Sequence, residues 1–406
     1  MLSPVYNPQQ AEGIQNYKTI REVGKGTYGC VYEAVDLRFG SRVALKKVLP
    51  KIEKEGFPIT AIREIKTLKI LHHDNILDLL DVVYDPAKKS NERGSVFMVF
   101  PFIKHDLVGI QHFRRNKLHI SEIKCIAIHV LRGLEYLHSH NIVHRDLKLA
   151  NLLIDGNGVI KIADFGLARM QLPERPDQTN KVVTRWYRPP ELLMGATKYD
   201  SSVDMWSMGA IIGELVIGTP LFPGESEMHV LRFIFDTIGP PSDSVWPGFR
   251  HLVESDNMVY DVGVARKGLE EYIRDPVGVC VYDSRMERPT HLLVKDGDSN
   301  YTDRRVFRKM FNSLSPNGQS LLAQLLRYNP ATRLSATDTL LHPFVSEDPL
   351  PCKPSEIVLS HESRHESQVK EGASCRHAEI SRPAKRPLSH VHASCLAPVT
   401  SKKRRR

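Results

Sequence analysis

Cysteine is sparse in this sequence. Its 406 residues include six cysteines, and no two of them form a C-x-x-C pair. A secreted domain held by disulfides would be short and cysteine-rich, and a structural zinc site would show closely spaced pairs. We therefore expect a protein of the reducing cell interior that has no cysteine-based zinc site.

Long uncharged hydrophobic runs are also missing. The most apolar long stretch, MWSMGAIIGELVIGTPLF, carries Glu214 in its middle, whereas a membrane-spanning helix needs about 20 nearly uncharged residues. The first residues, MLSPVYNPQQ, show neither the basic start nor the apolar centre of a secretory signal. These features predict a chain with no membrane segment, in which the apolar stretch forms a buried helix.

Positive charge is scarce in most of the chain and concentrated at one end. The formal net charge is +9, and residues 351–406 hold 12 Lys and Arg against 5 Asp and Glu, a net of +7. Because aliphatic periodicity is lost there, we expect residues 346–406 to form a basic, disordered tail. Its stretches AKRP and SKKRRR are typical of a nuclear import signal or a weak nucleic-acid patch, with a solvated charged end as the alternative.

The pattern of apolar residues divides the remaining chain into two parts. YKTIREV, CVYEAVD and RVALKKVL are short β-type runs, and after a helix that opens at Pro58 two more follow, ILDLLDVVY and SVFMVF. Beyond Phe102 the apolar spacing becomes helical, as in SEIKCIAIHVLRGLEYLHSH. We predict a β-rich lobe joined to a larger helical lobe, with the polar residues 255–303 as a surface excursion.

Three glycines lie where two predicted strands meet, in the stretch GKGTYGCV from Gly24 to Val31. Without Cβ atoms, glycines let backbone N–H groups face a phosphate. A dinucleotide fold would need a helix directly after the glycines, but a strand follows here. A glycine-rich hairpin over a nucleotide fits better, and a plain hairpin turn is the alternative.

Two charged residues interrupt apolar patterns. Lys46 lies in the strand VALK, and Glu64 shares a helical face with Ala61, Leu68 and Leu71. A strand lysine is usually a solvated edge residue, but one that points inward needs an anion. A buried Lys46–Glu64 pair would explain both interruptions and let the lysine reach nucleotide phosphates.

The stretch IVHRDLKLANLLI places charged and amide groups between aliphatic runs. Asp146 could deprotonate a hydroxyl group, while Lys148 neutralises a transferring phosphoryl group. Asn151, together with Asp164 of IADFGLAR, offers oxygen ligands to Mg²⁺. Because phosphoryl transfer depends mostly on positioning and charge neutralisation, this set of residues indicates that reaction.

In this order, the motifs resemble those of eukaryotic protein kinases. They are Gly24-x-Gly26-x-x-Gly29-x-Val31, Val43-Ala44-Leu45-Lys46, Glu64, His144-Arg145-Asp146…Asn151, Asp164-Phe165-Gly166 and Pro190-Glu191. The resemblance covers residues 17–345 and implies the α+β, bilobal protein kinase fold. It implies a β-rich N-lobe of about 17–103 and a mainly helical C-lobe of about 104–345, preceded by an extension, 1–16.

The same resemblance assigns roles to individual residues. ATP is expected to contact Val23, Gly24, Lys25, Gly26, Thr27, Tyr28, Gly29, Val31, Ala44, Lys46, Phe100, Pro101, Ile103 and Leu153. The expected catalytic residues are Asp146, Lys148, Asn151, Lys46, Glu64 and Thr184, and Mg²⁺ would bind Asn151 and Asp164. Phe100 stands at the gatekeeper position, and Asp146 with Lys148 resembles the serine/threonine-specific arrangement.

The stretch PITAIRE, Pro58 to Glu64, is similar to the signature of cyclin-dependent kinases. Every kinase has a helix with a glutamate here, so the helix alone does not indicate a cyclin-dependent kinase. The resemblance depends on the match of all seven residues. The resemblance implies that a cyclin docks on the helix 58–71 and turns Glu64 toward Lys46.

The following segment, MQLPERPDQTNKVVTRWYRPPE, has no Thr-x-Tyr doublet. Thr179 aligns with the activating phosphothreonine of the family, which implies a separate activating kinase. Arg63, Arg145 and Arg169 match the pocket for its phosphate, although each alone could be a surface ion pair.

The resemblance also implies a substrate pocket and an ion pair near this segment. Val182, Val183 and Arg188 resemble the pocket that accepts a proline after the target serine or threonine. Glu191 is expected to pair with Arg333.

Several stretches, including EGFPITAIREIK and KLAN, resemble the transcriptional branch of the cyclin-dependent kinases, of the positive transcription elongation factor b and Bur type. The resemblance implies phosphorylation of Ser/Thr-Pro sites in the C-terminal repeats of RNA polymerase II, in the nucleus. The sibling branch that also phosphorylates the polymerase is an alternative, because EGFPITAIRE fits it at least as well. A cell-cycle kinase, a pseudokinase scaffold and a protein that mainly binds nucleic acid through its tail are the others.

Overall fold

A five-stranded antiparallel sheet of order β1-β2-β3-β5-β4 forms the first part of the protein. The computed structural model describes residues 13–26, 29–48, 58–86, 94–115, 118–171, 177–239, 241–249, 251–252, 313–363 and 365–366. The strands of this sheet are β1 (Tyr17–Gly26), β2 (Gly29–Asp36), β3 (Arg42–Val48), β4 (Asp81–Asp85) and β5 (Ser95–Pro101).

Strand β3 shows how the sheet separates its two faces. Val43 and Leu45 point into a small apolar cluster on one face of the sheet, whereas Ala44 packs on the larger core. Side chains alternate along a strand, so Lys46 faces the same way as Ala44. The pattern therefore turns the lysine toward the space beneath the sheet.

Helix α1 (Ile59–Ile70) packs under the sheet. It follows Pro58, as predicted, and buries one face made of Ala61, Glu64 and Leu68. Its opposite side is exposed to solvent at three isoleucines, which are Ile59, Ile62 and Ile70.

The predicted strand ILDLLDVVY is only half formed. β4 begins at Asp81, and the start of the run pairs with the second lobe instead. Ile76 bridges to Ile162, and Leu77 donates its N–H to the Ile162 carbonyl at 2.9 Å. The apolar run is buried as predicted, but it contributes to two lobes instead of one strand.

Helices and short strands make up the second lobe. Its helices are α2 (Leu107–Phe113), α3 (Ile120–Ser139), α4 (Pro190–Leu193), α5 (Ser202–Ile217), α6 (Glu227–Ile238), α7 (Pro316–Leu325), α8 (Ala336–Leu340) and α9 (Pro343–Ser346). Its strands are β6 (His105–Asp106), β7 (Ile142–Val143), β8 (Leu152–Ile154), β9 (Ile160–Ile162) and β10 (Arg169–Met170). They pair as a sheet of order β6-β8-β9 and a two-stranded sheet of β10 and β7.

Helix α5 forms the centre of the second lobe. Residues 203–215 are buried on every side, as expected for a helix that is apolar all around. It ends at Gly218, whose φ of 85° lies in the left-handed region, and the Gly218 N–H bonds back to the Glu214 carbonyl at 2.7 Å. Among the described residues, no helix is both long and apolar enough to cross a membrane.

The chain after α9 packs on the second lobe, where the sequence predicted disorder. We call residues 347–363, 365 and 366 the C-terminal strap. Lys124 on α3 is 1% exposed and donates to the strap carbonyls of Glu347 and Pro349 at 2.8 and 3.0 Å. Ile357 of the strap is buried in the main core.

The strap ends beside the junction of the two lobes. Ser363 Oγ donates to the Lys104 carbonyl at 2.9 Å, and the Glu366 N–H donates to Asp106 Oδ2 at 2.8 Å. For these residues the prediction of a disordered tail is wrong, because backbone groups and a buried lysine fasten a polar segment. The excursion 255–303 and the basic stretches of 367–406 lie outside the described residues.

Candidate active site

Lys46 connects two carboxylates from distant parts of the chain. Its Nζ atom lies 2.7 Å from Glu64 Oε1 on α1 and 2.7 Å from Asp164 Oδ1. Burial disfavours the charged ammonium, but the carboxylates of Asp164 and Glu64 outweigh it and raise the pKa of Lys46. The pair predicted from the interrupted apolar patterns is present, and Asp164 joins it.

Asp164 owes its position to an unusual backbone conformation. Its φ of 65° lies in the left-handed region, directly before a 3₁₀ turn, Phe165–Leu167, whose phenylalanine is buried. Burial favours protonation of the Asp164 carboxyl, but the Lys46 ammonium outweighs it and holds the pKa of Asp164 below its ordinary value. The carboxylate is therefore ionised at neutral pH and available to a cation.

Asp146 is held by three other predicted catalytic residues. Lys148 Nζ donates to Asp146 Oδ2 at 2.8 Å, and Thr184 Oγ1 donates to Asp146 Oδ1 at 2.7 Å. Asn151 Nδ2 donates to the same carboxylate at 3.1 Å, and Lys148 Nζ also reaches Thr184 Oγ1 at 3.1 Å. The arrangement fixes the carboxylate beside a cation, as a general base in phosphoryl transfer requires.

Asp204 on α5 supports the loop that carries Asp146. Its carboxylate accepts the backbone N–H groups of His144 and Arg145, each at 2.9 Å, and contacts His138 Nε2 at 3.0 Å. Burial would raise the pKa of Asp204, but these bonds, led by that with His138, hold it below its ordinary value. Arg145 has a φ of 65°, so the Asp204 carboxylate stabilises a strained backbone.

Asn151 and Asp164 fit a magnesium site. Asn151 Nδ2 is engaged by Asp146, which leaves the amide oxygen as the ligand atom of that side chain. Among the described residues, no group of three or more His, Cys, Asp or Glu could hold a metal alone. One amide and one carboxylate suit Mg²⁺, which keeps waters and takes its other ligands from phosphates.

The glycine hairpin is formed by β1 and β2. Gly24 pairs with Val31 and Gly26 with Gly29. A Cβ atom at Gly29 would lie 2.2 Å from the Lys47 carbonyl oxygen, so only glycine fits there. Thr27 and Tyr28 lie outside the described residues, and so does the side chain of Lys25.

The four apolar residues that were predicted to contact adenine are each partly buried: Val23, Val31, Ala44 and Leu153. Ala44 on β3 pairs in register with Phe100, and Pro101 pairs with Val43. Ile103 follows and is buried.

Comparison with known proteins decides the family. The protein kinase domain profile matches residues 17–345. The chain belongs to the protein kinase family. It therefore has the bilobal kinase fold, with the β-sheet lobe and the helical lobe described above.

Several curated kinases are similar over most of this chain. Cyclin-dependent kinase C-1 of Arabidopsis thaliana is 36% identical over 370 residues, which are 89% of this chain and 65% of that protein. Cyclin-dependent kinase C-1 of Oryza sativa subsp. japonica is 37% identical over 371 residues, with 89% and 64% covered. Serine/threonine-protein kinase bur1 of Emericella nidulans is 38% identical over 367 residues, with 87% and 60% covered. The chain thus spans less than two thirds of the length of these relatives.

Thr179 of this kinase-family chain is exposed in the segment between Asp164 and Glu191. Tyr199 OH donates to the Thr179 carbonyl at 2.8 Å, and Arg145 donates to the same hydroxyl at 2.8 Å. The Tyr199 hydroxyl therefore links the backbone of the threonine predicted to be phosphorylated to Arg145, one of the predicted phosphate-binding arginines.

The three predicted phosphate-binding arginines form no salt bridge within the part of the chain that the structure describes. Arg145 binds the Leu167 carbonyl and Gln178 as well as Tyr199. Its guanidinium is buried, and burial together with nearby Arg169 lowers the pKa of Arg145, although Tyr199 opposes the shift. Arg63 lies exposed on α1, where no contact joins it to the other two.

Val183 has a φ of 65°, which is rare for a β-branched residue. Its N–H donates to the Arg145 carbonyl, and its own carbonyl accepts Arg188 Nε at 3.2 Å and a second guanidinium nitrogen at 2.9 Å. Arg188 in turn pairs with Glu227. The Val183 carbonyl is thus already occupied inside the protein.

The predicted pair of Glu191 and Arg333 is confirmed. Two bonds of 2.9 and 3.1 Å join their side chains, and both residues are buried. Two supporting residues, Asp204 and His138, were not predicted. The signal for Asp204 was an acidic residue directly before the apolar stretch that begins at Met205, whereas nothing in the sequence marks His138.

Proposed function

We propose that this chain is a cyclin-dependent serine/threonine kinase that transfers the γ-phosphoryl group of ATP to Ser/Thr-Pro sites. The observation that carries the proposal is the cluster around Asp146, in which Lys148, Thr184 and Asn151 hold one carboxylate at 2.7–3.1 Å. The intact set of Lys46, Glu64 and Asp164 argues against a pseudokinase scaffold.

The groups around Asp146 suit a direct transfer. The substrate hydroxyl oxygen forms a bond to the γ-phosphorus, the bond from that phosphorus to the leaving ADP oxygen breaks, and the hydroxyl proton passes to Asp146. Lys148 stabilises the charge on the transferring group, and Thr184 keeps the carboxylate aimed. Asn151 and Asp164 would hold Mg²⁺, whose positive charge would offset that of the phosphate oxygens.

The occupied carbonyl of Val183 supports a preference for proline after the target residue. An ordinary residue at that position of a substrate brings an N–H group that needs an acceptor when it is buried. Arg188 already holds the Val183 carbonyl. Proline has no N–H, so it leaves no unsatisfied hydrogen-bond donor at this position.

A cyclin is the partner that suits helix α1. Ile59, Ile62 and Ile70 expose 63%, 37% and 56% of their surface on the outer side of the helix. Glu64 lies on the inner side and binds Lys46, so a partner on the outer side would hold the ion pair closed. The docking of a cyclin on residues 58–71 is therefore part of the proposal.

Activation would add a phosphate at Thr179. The exposed hydroxyl suits a separate activating kinase, and Arg145 and Arg169 offer guanidinium groups that form no salt bridge within the described residues. Arg63 would join them from α1. This contact would couple the segment to the helix on which the cyclin docks.

The resemblance to the transcriptional branch specifies a substrate and a location for the protein. We place the substrate in the C-terminal repeats of RNA polymerase II and the protein in the nucleus, because EGFPITAIREIK and KLAN resemble that branch. The similar proteins named Cyclin-dependent kinase C-1 and Serine/threonine-protein kinase bur1 support this choice over a cell-cycle kinase.

The deciding experiment combines partner and substrate. The full chain is purified from native extract, its cyclin is identified, and phosphate transfer is measured on polymerase repeat peptides and on a basic cell-cycle-type Ser-Pro peptide. Faster transfer to the repeat peptides is expected. Full activity without a cyclin, or preference for the basic peptide, would contradict the proposal.

A further inference from the structure

The C-terminal strap runs beside helix α3 in a fixed register. Lys124 binds the carbonyls of Glu347 and Pro349, and the Cys352 N–H donates to the Ser121 carbonyl at 3.1 Å. Because residues four apart share one face of a helix, Ser121 and Cys125 lie on the same side of α3. The register therefore places Cys352 next to Cys125.

The two thiols are close enough for each to affect the pKa of the other, and both cysteines are free. Cys125 is 4% exposed in the main core, whereas Cys352 packs on that core and remains partly exposed. The Cys352 thiol is thus accessible from solvent, and the Cys125 thiol is buried behind it.

We propose that Cys125 and Cys352 are a modification site at which a disulfide oxidant of the glutathione class links the strap covalently to α3. The inference is independent of the proposed kinase activity, since it rests on the packing of the strap alone.

The chemistry is a thiol–disulfide exchange in two steps. The Cys352 thiolate attacks glutathione disulfide, forms a mixed disulfide and releases one glutathione. The Cys125 thiolate then attacks the Cys352 sulfur, forms the protein disulfide and releases the second glutathione. Each thiol loses one proton to solvent, and the two glutathiones carry away the electron pair that oxidation removes.

The surroundings make the exchange slow at neutral pH. Burial raises the pKa of Cys125 to about 12, helped by Cys352 and opposed by Arg132. Burial also raises the pKa of Cys352, near Glu122 and Glu356. Because the thiolate is the nucleophile, the rate should rise with pH between 7 and 9, by at most about tenfold for each pH unit.

The link would fix a segment that reaches the junction of the lobes. The strap contacts the Lys104 carbonyl and Asp106 at its far end. A disulfide at Cys352 closes a loop of roughly 230 residues, which restricts the unfolded chain strongly. We expect the linked protein to melt several degrees higher than the reduced protein.

The test uses the full chain in glutathione buffers of increasing oxidation at pH 8.5. Remaining thiols are alkylated, and peptide mapping identifies the linked pairs. A Cys125–Cys352 peptide is expected as the main intramolecular link, and reductant should remove it. The variant Cys352→Ser should lose the link and the gain in melting temperature, whereas the control Cys30→Ser should keep both.

Two results would overturn the inference. One is that Cys125 and Cys352 are both alkylated, or carry glutathione separately, under conditions that oxidise other cysteines of the chain. The other is that the same link forms only after denaturation in guanidinium. Circular dichroism of Cys352→Ser checks that the variant is folded, and Cys125→Ala gives a second variant should it not be.

Discussion

Lys46 Nζ lies 2.7 Å from Glu64 Oε1, and this contact joins the sheet of the first lobe to helix α1. Both groups are largely buried, at 14% and 5% side-chain exposure. A buried ion pair contributes little to stability by itself, but removal of one partner leaves an uncompensated charge. The contact therefore ties the position of α1 to the lysine that would anchor phosphates.

Lys46→Met should lower the rate of phosphoryl transfer on the order of 10²-fold or more, because the phosphates lose their anchor. It should also lower the melting temperature, since the buried Glu64 and the partly buried Asp164 lose the cation between them. Initial rates and thermal unfolding check both effects. Lys18→Met, which removes an exposed lysine of β1, is the control and should change neither.

Asp146→Asn should reduce turnover on the order of 10²-fold or more while the fold is kept. The amide has nearly the same shape, and the bonds from Thr184 can still reach its oxygen. What is lost is the capacity to accept the substrate proton. Single-turnover kinetics are the measurement, Asp74→Asn at an exposed position is the control, and near-normal turnover would refute the assignment of the base.

Glu214 predicts a pH dependence of stability. The carboxyl is buried on α5, where burial raises its pKa to about 7 despite the hydrogen bond from Tyr187 at 2.7 Å. Below pH 4.5 the Glu214 carboxyl is protonated in both the folded and the unfolded chain, so its contribution to the free energy of unfolding is fully present. As the pH rises to 7 the unfolded chain ionises first, and about 3 kcal/mol is lost.

Glu214→Gln should remove this loss, because the amide keeps an acceptor for Tyr187 and never ionises. Urea unfolding should show the variant to be more stable than the wild type at pH 8 and close to it at pH 4.5. Glu22→Gln, at an exposed position of β1, is the control. Equal stabilities of the Glu214→Gln variant and the wild type at both pH values would contradict the raised pKa.

Sequence patterns revealed some of these contacts and hid others for physical reasons. Lys46 and Glu64 could be paired in advance because each interrupts an apolar pattern. The support that Asp204 gives to the loop could not, because its partners include backbone N–H groups far away in the sequence. The strap was missed because its polar composition resembles disorder, while a buried Lys124 holds it by carbonyls that no sequence pattern marks.

Phosphorylation of Thr179 should raise activity and make the segment around it resist proteolysis. The phosphate would bind Arg145 and Arg169, which form no salt bridge with a carboxylate among the described residues. Thr179→Ala should abolish the response to an activating kinase, and Arg169→Ala should weaken it. Thr197→Ala, at a threonine outside the segment whose hydroxyl contacts Asp177, should respond as the wild type does. Undiminished activation of Thr179→Ala would place the regulatory phosphate elsewhere.

The occupied carbonyl of Val183 predicts how the protein chooses between substrates. Arg188 occupies this acceptor with two hydrogen bonds and is itself held by Glu227. While the acceptor is occupied, a substrate with alanine after the target serine buries an unsatisfied N–H, which costs about 1–3 kcal/mol and disfavours it on the order of 10- to 100-fold.

Arg188→Gln should shrink that preference for proline, because the Val183 carbonyl becomes available to the substrate N–H. The measurement is the ratio of kcat/KM for matched Ser-Pro and Ser-Ala peptides. Arg185→Gln removes a neighbouring exposed arginine and should leave the ratio unchanged. A fall in kcat/KM for both peptides with the same ratio would mean that Arg188 only supports the fold, and the preference for proline would then need another cause.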